Sequence, residues 1–439
     1  MNHRPLTAEP PVALAEYGAA EVQLSEDDAR TLRELVGNRL DISPSDHRGG
    51  WVVKATAYVG TIVTPFIRIL IRPKVASANL FLMLEADGQS MSVGDEVFDY
   101  DRTNDLMPAF ATFYARHLER ALGRGICREY RPEEARLAGV RGRVDLAAQQ
   151  RFAGLSFPVE CRYDEYSADT QLNRVLRAAL WRLNRLPGVT PTTRQALLSL
   201  DRRLEEAQPV QPGDLRGAVN FTRLNEHCRG AEHLARLVLD GASLVDSSGM
   251  SGAGVFLIDM NKLFERFVEH RLRRLLADRL IVNGQWPDHL DDDHQVRIRP
   301  DLVFERPGGG PVYVGDSKYK LTSDGFAREA DYYQLLAYCT ALGLSEGILV
   351  YCQHDGKAPP REVTTRSIGT RLRTFPLRLS GTVAEVELQV LELAGFIVSR
   401  CPRTVNSGAE TDGGQWGSAH GSVNGDSTAN SSPSEVKCR

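Results

Sequence analysis

The sequence predicts a multidomain α/β chain, and three stretches carry that prediction. Trp51 to Ile71 is rich in β-branched and aromatic residues in alternation, residues 160 to 245 carry helical periodicity, and from Asn261 to Cys352 a helix, a hairpin, a second helix and a strand follow in turn. The expected organisation is a β-rich N-terminal domain over 1–160, a helical middle region over 161–247, an α/β core over 248–400 and a disordered tail over 401–439.

A chain of 439 residues with 42% hydrophobic content can bury substantial cores. Its net charge of −4 means that any nucleic-acid contact must come from local basic patches rather than from a global field. The 7 cysteines are odd in number, scattered and without a CxxC pair, which argues against a disulfide framework or a zinc ribbon and suits a reducing cytosol. No charged-then-apolar leader opens the chain, and no apolar run approaches the ~20 residues of a membrane span. A cytoplasmic protein with no membrane contact is expected.

Residues 1 to about 20 are Pro- and Ala-rich and are expected to be loosely ordered. Ser25 followed by EDDARTLRELV reads as a capped helix with Leu32, Leu35 and Val36 on one face. The β-rich block divides into Trp51 to Val59, Gly60 to Thr64 and Phe66 to Ile71, with Gly60 taken as a break between strands. Thr103 to Leu122 is helical, with Pro108 tolerated near its start. Arg128, Arg131, Arg136, Arg141 and Arg143 then form a dense basic set, either a grip for phosphates or an acidic partner, or a solvated face. In the middle region Leu172, Val175, Leu176, Ala179 and Leu180 have the spacing of a buried helix face.

Gly249 to Gly254 is a composition break leading into the last domain, and VFLIDM is a short strand or turn. The helix NKLFERFVEHRLRRLLADRL carries an apolar stripe of Leu263, Phe264, Phe267, Val268, Leu272, Leu275 and Leu276. Glu265 lies just off the stripe, and Glu269, one turn along, is expected to point outward. The histidines and aspartates of HLDDDHQ lack ligand spacing and read as a polar turn.

The chemistry is concentrated in RPDLVFERPGGGPVYVGDSKYK. Pro307 and three glycines between β-prone runs signal a hairpin, and a turn centred between Gly308 and Gly309 sets Phe304 against Tyr313 and Asp301 against Asp316. Opposed side chains lie about 5 Å apart on one face, and Lys318 shares that face by strand periodicity. Two neighbouring carboxylates repel unless a cation sits between them, and Mg²⁺ takes one or two carboxylates plus phosphate oxygens and water. Lys318 would orient the attacking water or offset charge on the scissile phosphate. A surface hairpin with an ordinary Asp–Lys pair is the competing account. Gln334 and Tyr338 project from one face of the helix that follows, and EGILVYC is a strand. Arg366, Arg371, Arg373 and Arg378 form a further phosphate track or an exposed strand face.

The ordered series NKLFERFVEHRL, RPDLVFE…VYVGDSKYK and DYYQLLAYC resembles the PD-(D/E)xK restriction-endonuclease-like domain of the McrC family, cleavage subunits of modified-cytosine (McrBC) restriction systems. VGTIVTPFIRILIRPKV, VRGRVDL and CRYDEYSADTQLNRVLRAAL extend the resemblance to roughly residues 50 to 395. It implies a magnesium-dependent type IV restriction endonuclease subunit, with Mn²⁺ as the alternative ion. Asp301, Asp316 and the Ser317 carbonyl would hold the metal, Lys318 would be the active-site lysine, and Glu265 would be a supporting acid and extra ligand. Gln334 and Tyr338 match the QxxxY element of some branches. The implied partners are a hexameric McrB-like AAA+ GTPase, engaged through the N-terminal domain, and methylated double-stranded DNA.

No GxxxxGK[ST] occurs, and Asp316 follows the second glycine of GPVYVGDS, so no nucleotide is expected to bind this chain through a P-loop. Two rivals remain: a non-cleaving adaptor that activates an AAA+ motor through residues 51–74 and the arginine set, and a stand-alone nuclease.

Overall fold

Val303 and Val314 face one side of a sheet while Leu302, Phe304 and Tyr313 face the other, and every one of them is buried. Such two-sided burial requires cover on both faces. The computed structural model, which describes residues 10–47, 49–85, 97, 100–101, 105–150, 157–244, 253–319, 329–353 and 359–401, provides it. The six-stranded sheet has the order Ile281–Gly284, Leu302–Glu305, Pro311–Lys318, Glu346–Gln353, Arg371–Arg378, Glu362–Thr364. The helix Glu329–Ala341 packs on one face through Leu335, Tyr338 and Cys339. The helices Met260–Leu276 and Val383–Arg400 cover the other through Phe264, Leu272, Val390 and Ile397.

The hairpin pairs Phe304 with Tyr313 as expected, and Leu302 with Gly315. The turn is displaced, however. Gly309 N–H donates to Arg306 O at 2.9 Å and Gly308 takes φ 75°, so Pro307 and Gly308 occupy its centre. A bulge at Glu305, which pairs with Pro311, absorbs the offset and preserves the register beyond it. Strand Pro311–Lys318 then runs parallel to Glu346–Gln353, with Asp316 beside Leu349.

The N-terminal part is built on two further sheets. Gly50–Ala55 lies between Ala19–Gln23 and Leu40–Pro44, under the helix Glu26–Val36 that Ser25 caps through Asp28 N at 3.1 Å. A five-stranded sheet takes Val12–Ala15, Arg68–Arg72, Tyr58–Val63, Gly254–Asp259 and Ala242–Leu244 in that order. Loose order was expected to about residue 20, but Val12–Ala15 pairs in parallel with Ile69 to Arg72 and Ala19–Gln23 pairs with Gly50 to Lys54. Gly60 does not break the block either. It lies inside Tyr58–Val63 at φ 139°, and a Cβ there would come within 2.1 Å of Phe256 O. A glycine is required at that approach between strands.

Asp105 caps the helix Leu106–Leu122, which packs with the helices Gln171–Arg185, Pro191–Arg203 and Arg229–Gly241. The middle region does not begin as helix: Val159–Ser167 is a strand paired along nine residues with Glu129–Leu137, and its helix starts only after the cap at Thr170. One face of this pair is uncovered, with Tyr130 73% and Tyr166 55% exposed, while the other is half-buried around Cys161. Its arginines are mostly neutralised by Arg128–Glu206, Arg131–Asp169, Arg136–Glu160 and Arg141–Glu165 ion pairs. The chain through Cys401 packs as one unit; residues 402–439, and with them the expected disordered tail, lie outside the described residues. Among the described residues no helix is long and apolar enough to cross a membrane.

Candidate active site

The site begins at one helix cap. Asp259 ends the strand Gly254–Asp259, and its carboxylate accepts from Asn261 N at 3.0 Å and Lys262 N at 3.4 Å, starting the helix Met260–Leu276. The apolar stripe of that helix is buried as expected except for Leu275, which is 41% exposed, because the stripe drifts off the covered face in the last turn. Truncating a fully buried side chain such as Phe264 would cost about 3–5 kcal/mol. This packing fixes the rotation of the helix and aims Glu265 at the end of the sheet.

Asp301, immediately before the strand Leu302–Glu305, is 8% exposed, and Asp316 is fully buried. By strand alternation both share a face with Val303 and Val314, under Glu329–Ala341. Lys318 Nζ lies 2.6 Å from Asp316 Oδ2. Asp301 is tied from two sides: Ser317 N–H donates to Oδ2 at 2.9 Å and Gln285 Nε2 donates to Oδ1 at 2.8 Å. The same Gln285 amide donates to Glu265 Oε1. Glu265, Asp301, Asp316 and Lys318 are therefore brought to one place, with Gln285 between the first two.

Gln285 escaped the sequence reading. It lies in the loop after Ile281–Gly284 with φ 50°, a conformation that non-glycine residues seldom hold without support. Its support is Gln285 N–H to Asp301 O at 3.2 Å and Arg299 Nε to Gln285 O at 3.3 Å. No periodicity or motif marks such a residue; its loop position becomes meaningful only once the strand ends are assembled. Glu269, expected outward, is instead mostly buried: it is paired with Arg273, and its carboxylate occupies the space a Cβ at Gly284 would fill.

Gln334 and Tyr338 also meet. Gln334 Nε2 donates to the Tyr338 hydroxyl at 2.5 Å, and that hydroxyl donates to Arg299 O at 3.3 Å. Both brace the segment that leads into Asp301. Asp331, which accepts from Tyr351 at 2.9 Å, adds negative charge near Lys318. HLDDDHQ forms a turn in which Asp291 accepts from Gln295 N and Val296 N, as expected of a polar turn. Arg371 and Arg373 are engaged by Glu346, with Glu362 also holding Arg373, so this part of the suggested arginine track is ion-paired.

The electrostatics are those of crowded acids. Burial pushes the Asp316 carboxyl up to about 7, with repulsion from Asp301 adding and Lys318 opposing. Burial, then the charges of Asp301, Asp316 and Glu269, push Glu265 up to about 8. Burial works against the Lys318 ammonium, but Asp316, Asp301 and Asp331 outweigh it and hold its pKa above the usual lysine value. Both carboxylate oxygens of Asp316 are buried, with the Lys318 ammonium 2.6 Å from Oδ2. One ammonium does not balance three acids crowded together, so the group can take a further cation. Oxygen donors from Asp301, Asp316 and Glu265 suit a hard divalent ion. The Ser317 carbonyl points to the same side of its strand as the N–H that reaches Asp301, so it suits that ion as well.

A mixed α/β chain with a buried acid–lysine site at the end of a covered sheet is the class these observations define. The family model for McrBC 5-methylcytosine restriction system components matches residues 53–352, and the chain belongs to that family. No curated protein matches. Among solved structures, the half-complex from a tetradecameric assembly of Thermococcus gammatolerans McrB AAA+ hexamers with bound McrC is similar, at 20% identity and a TM-score of 0.48 over 88% of this chain and 100% of that one. The cryo-EM structure of the Thermococcus gammatolerans McrBC complex is similar at 23% identity and a TM-score of 0.40, covering 61% of this chain and 88% of that chain.

Proposed function

We propose that this chain is the DNA endonuclease subunit of a modification-dependent restriction system, hydrolysing phosphodiesters with Mg²⁺, or Mn²⁺ in its place. The observation that carries the reading is the Asp316 carboxylate, fully buried, beside the like charge of Asp301 and 2.6 Å from the Lys318 ammonium. Asp301, Asp316 and the Ser317 carbonyl hold the ion, with Glu265 as a further ligand. The bound ion supplies Lewis-acid polarisation of the phosphate and a more acidic water. Lys318, charged and anchored on Asp316, orients the nucleophile and offsets charge on the pentavalent phosphorus. Gln285 keeps Glu265 and Asp301 at a fixed separation, and Gln334 with Tyr338 braces the strand that delivers Asp301.

The partner in this reading is an AAA+ GTPase hexamer and the substrate methylated double-stranded DNA. Membership of the restriction-system family supports both. The uncovered face of Glu129–Leu137 with Val159–Ser167 is the surface we assign to the motor. It is better suited than residues 51–74, whose strands are largely buried within two sheets. The same hairpin keeps an adaptor reading alive, in which the chain activates a motor without cutting.

The deciding experiment is cleavage of methylated and unmethylated plasmid by this protein, with and without its co-encoded GTPase, in Mg²⁺ and GTP. Cutting that needs partner, GTP and methylation supports the reading. Cutting by the chain alone makes it a stand-alone nuclease, and stimulated GTP hydrolysis without cutting makes it an adaptor.

A further inference from the structure

Away from the carboxylates, Cys127 and Cys228 meet although 101 positions separate them: their sulfurs are 3.3 Å apart, and both residues are buried. His227 completes a group whose ligand atoms all lie within 4.8 Å of one another. Its Nε2 is buried and has no hydrogen-bond partner among the described residues. We propose that Cys127, His227 and Cys228 form a zinc site that ties the root of the uncovered hairpin to the helical bundle.

The chemistry of the donors selects the ion. Thiolate sulfur with imidazole nitrogen suits Zn²⁺ and disfavours Mg²⁺ or Ca²⁺, which take oxygen. Zinc lies about 2.3 Å from sulfur, so two sulfurs on one tetrahedral ion are about 3.8 Å apart, and the 3.3 Å pair found here would open by about 0.5 Å on binding. A disulfide would use the two sulfurs but leave the histidine without a role. Cys228 also stands as the residue before the 13-residue helix Arg229–Gly241, so the first turn of that helix sets its position. On the other side, Asn173 Nδ2 donates to Cys127 O and to Ala168 O, each at 2.7 Å, fixing the main chain that presents Cys127.

Three protein donors leave one position for water. His227, but neither cysteine, lines a cavity of about 670 Å³ shared with His117, Arg124 and His270, which gives the water a place. Binding replaces the two thiol protons, which pass to solvent, and no electrons move. The consequence is positional: Cys127 is two residues before the strand Glu129–Leu137, and Cys228 opens a bundle helix.

The test is metal content of the full chain purified under phosphine reductant, followed by replacement with Co²⁺. We expect about one zinc per chain and a thiolate-to-cobalt charge-transfer band in the near ultraviolet, a signature the carboxylate site cannot give. Both should persist in an Asp301→Asn/Asp316→Asn background and vanish in Cys228→Ser. His227→Gln should weaken zinc binding at least ~10-fold. If the cysteine variant fails to fold, the spectrum of the unsubstituted chain still decides, because absence of the band overturns the site. Zinc retained in a folded Cys228→Ser variant, or a Cys127–Cys228 disulfide in place of metal, overturns it equally.

Discussion

The Ser317 N–H donates to Asp301 Oδ2 at 2.9 Å, so the backbone of one hairpin strand holds the carboxylate of the other. Asp301 is thereby oriented by the fold itself. Asp316, on the neighbouring position of the same strand, meets the Lys318 ammonium at 2.6 Å and the like charge of Asp301. The two acids are thus asymmetric: one is pre-set by the main chain, the other is held by a lysine.

Asp316→Asn is the sharpest single change. It keeps the side-chain volume and removes a buried charge, so folding and partner binding should be retained while cleavage falls by at least ~1,000-fold, the order expected for losing a major electrostatic contributor. Wild-type-like plasmid cutting by this variant would end the assignment of Asp316.

A pH dependence of stability follows from the crowded acids. Asp316 and Glu265 have folded values of about 7 and about 8 against ordinary values of 3.8 and 4.5. A carboxyl raised in the folded state favours folding below its ordinary value, and that contribution is lost as pH rises through the folded value. Without metal, the melting temperature should therefore fall between about pH 4 and about pH 8, and less steeply in Asp316→Asn. Mg²⁺ should restore more stability at about pH 8 than at about pH 5, since the ion binds the deprotonated forms. A metal-free melting curve independent of pH across this window would contradict the crowding.

Gln285→Ala should expose what the bridging amide does. Without it Glu265 and Asp301 face each other directly, and the apparent Mg²⁺ affinity in the cleavage assay should weaken ~10–100-fold, the range typical of lost support around a metal ligand. Maximal cleavage at saturating Mg²⁺ should change far less. An unchanged Mg²⁺ titration would show that Gln285 is a bystander.

Tyr338→Phe removes the hydroxyl that links Gln334 to Arg299 O. The expected loss is about 1 kcal/mol of stability, measured by urea denaturation, with cleavage reduced less than ~10-fold. A loss of cleavage as complete as that of Asp316→Asn would instead place Tyr338 in contact with DNA.

Beside the strands Glu129–Leu137 and Val159–Ser167, the short strand Arg143–Val144 pairs with the second; Arg141, just before it, stacks over Tyr163 at 4.1 Å, and Arg143 is exposed. Arg141→Glu together with Arg143→Glu should reduce stimulation of the partner GTPase, with a stronger effect at low salt, and leave thermal stability near wild type. GTP hydrolysis stimulated as before would move the motor contact elsewhere on the chain.

Much of this site was legible in the sequence because it depends on short-range rules. The hairpin register set Asp301 opposite Asp316, strand parity put Lys318 on the same face, and helical spacing placed Gln334 and Tyr338 together. The turn was misplaced by its run of glycines, yet the bulge at Glu305 compensated. What stayed hidden depends on distant chain segments meeting. Gln285 gains meaning only from the ends of two other strands, and Cys127 meets Cys228 only through the packing of the bundle. Gly60 looked like punctuation because its real constraint, the carbonyl of Phe256, is far away in sequence.

Six consecutive residue pairs join Tyr58–Val63 to Gly254–Asp259, and the last residue of that second strand caps the helix bearing Glu265. Strands zipped side by side share an axial pull among all their hydrogen bonds at once. The N-terminal sheet and the helix that carries Glu265 are therefore joined without an intervening loop, and a shift of one would be passed to the other.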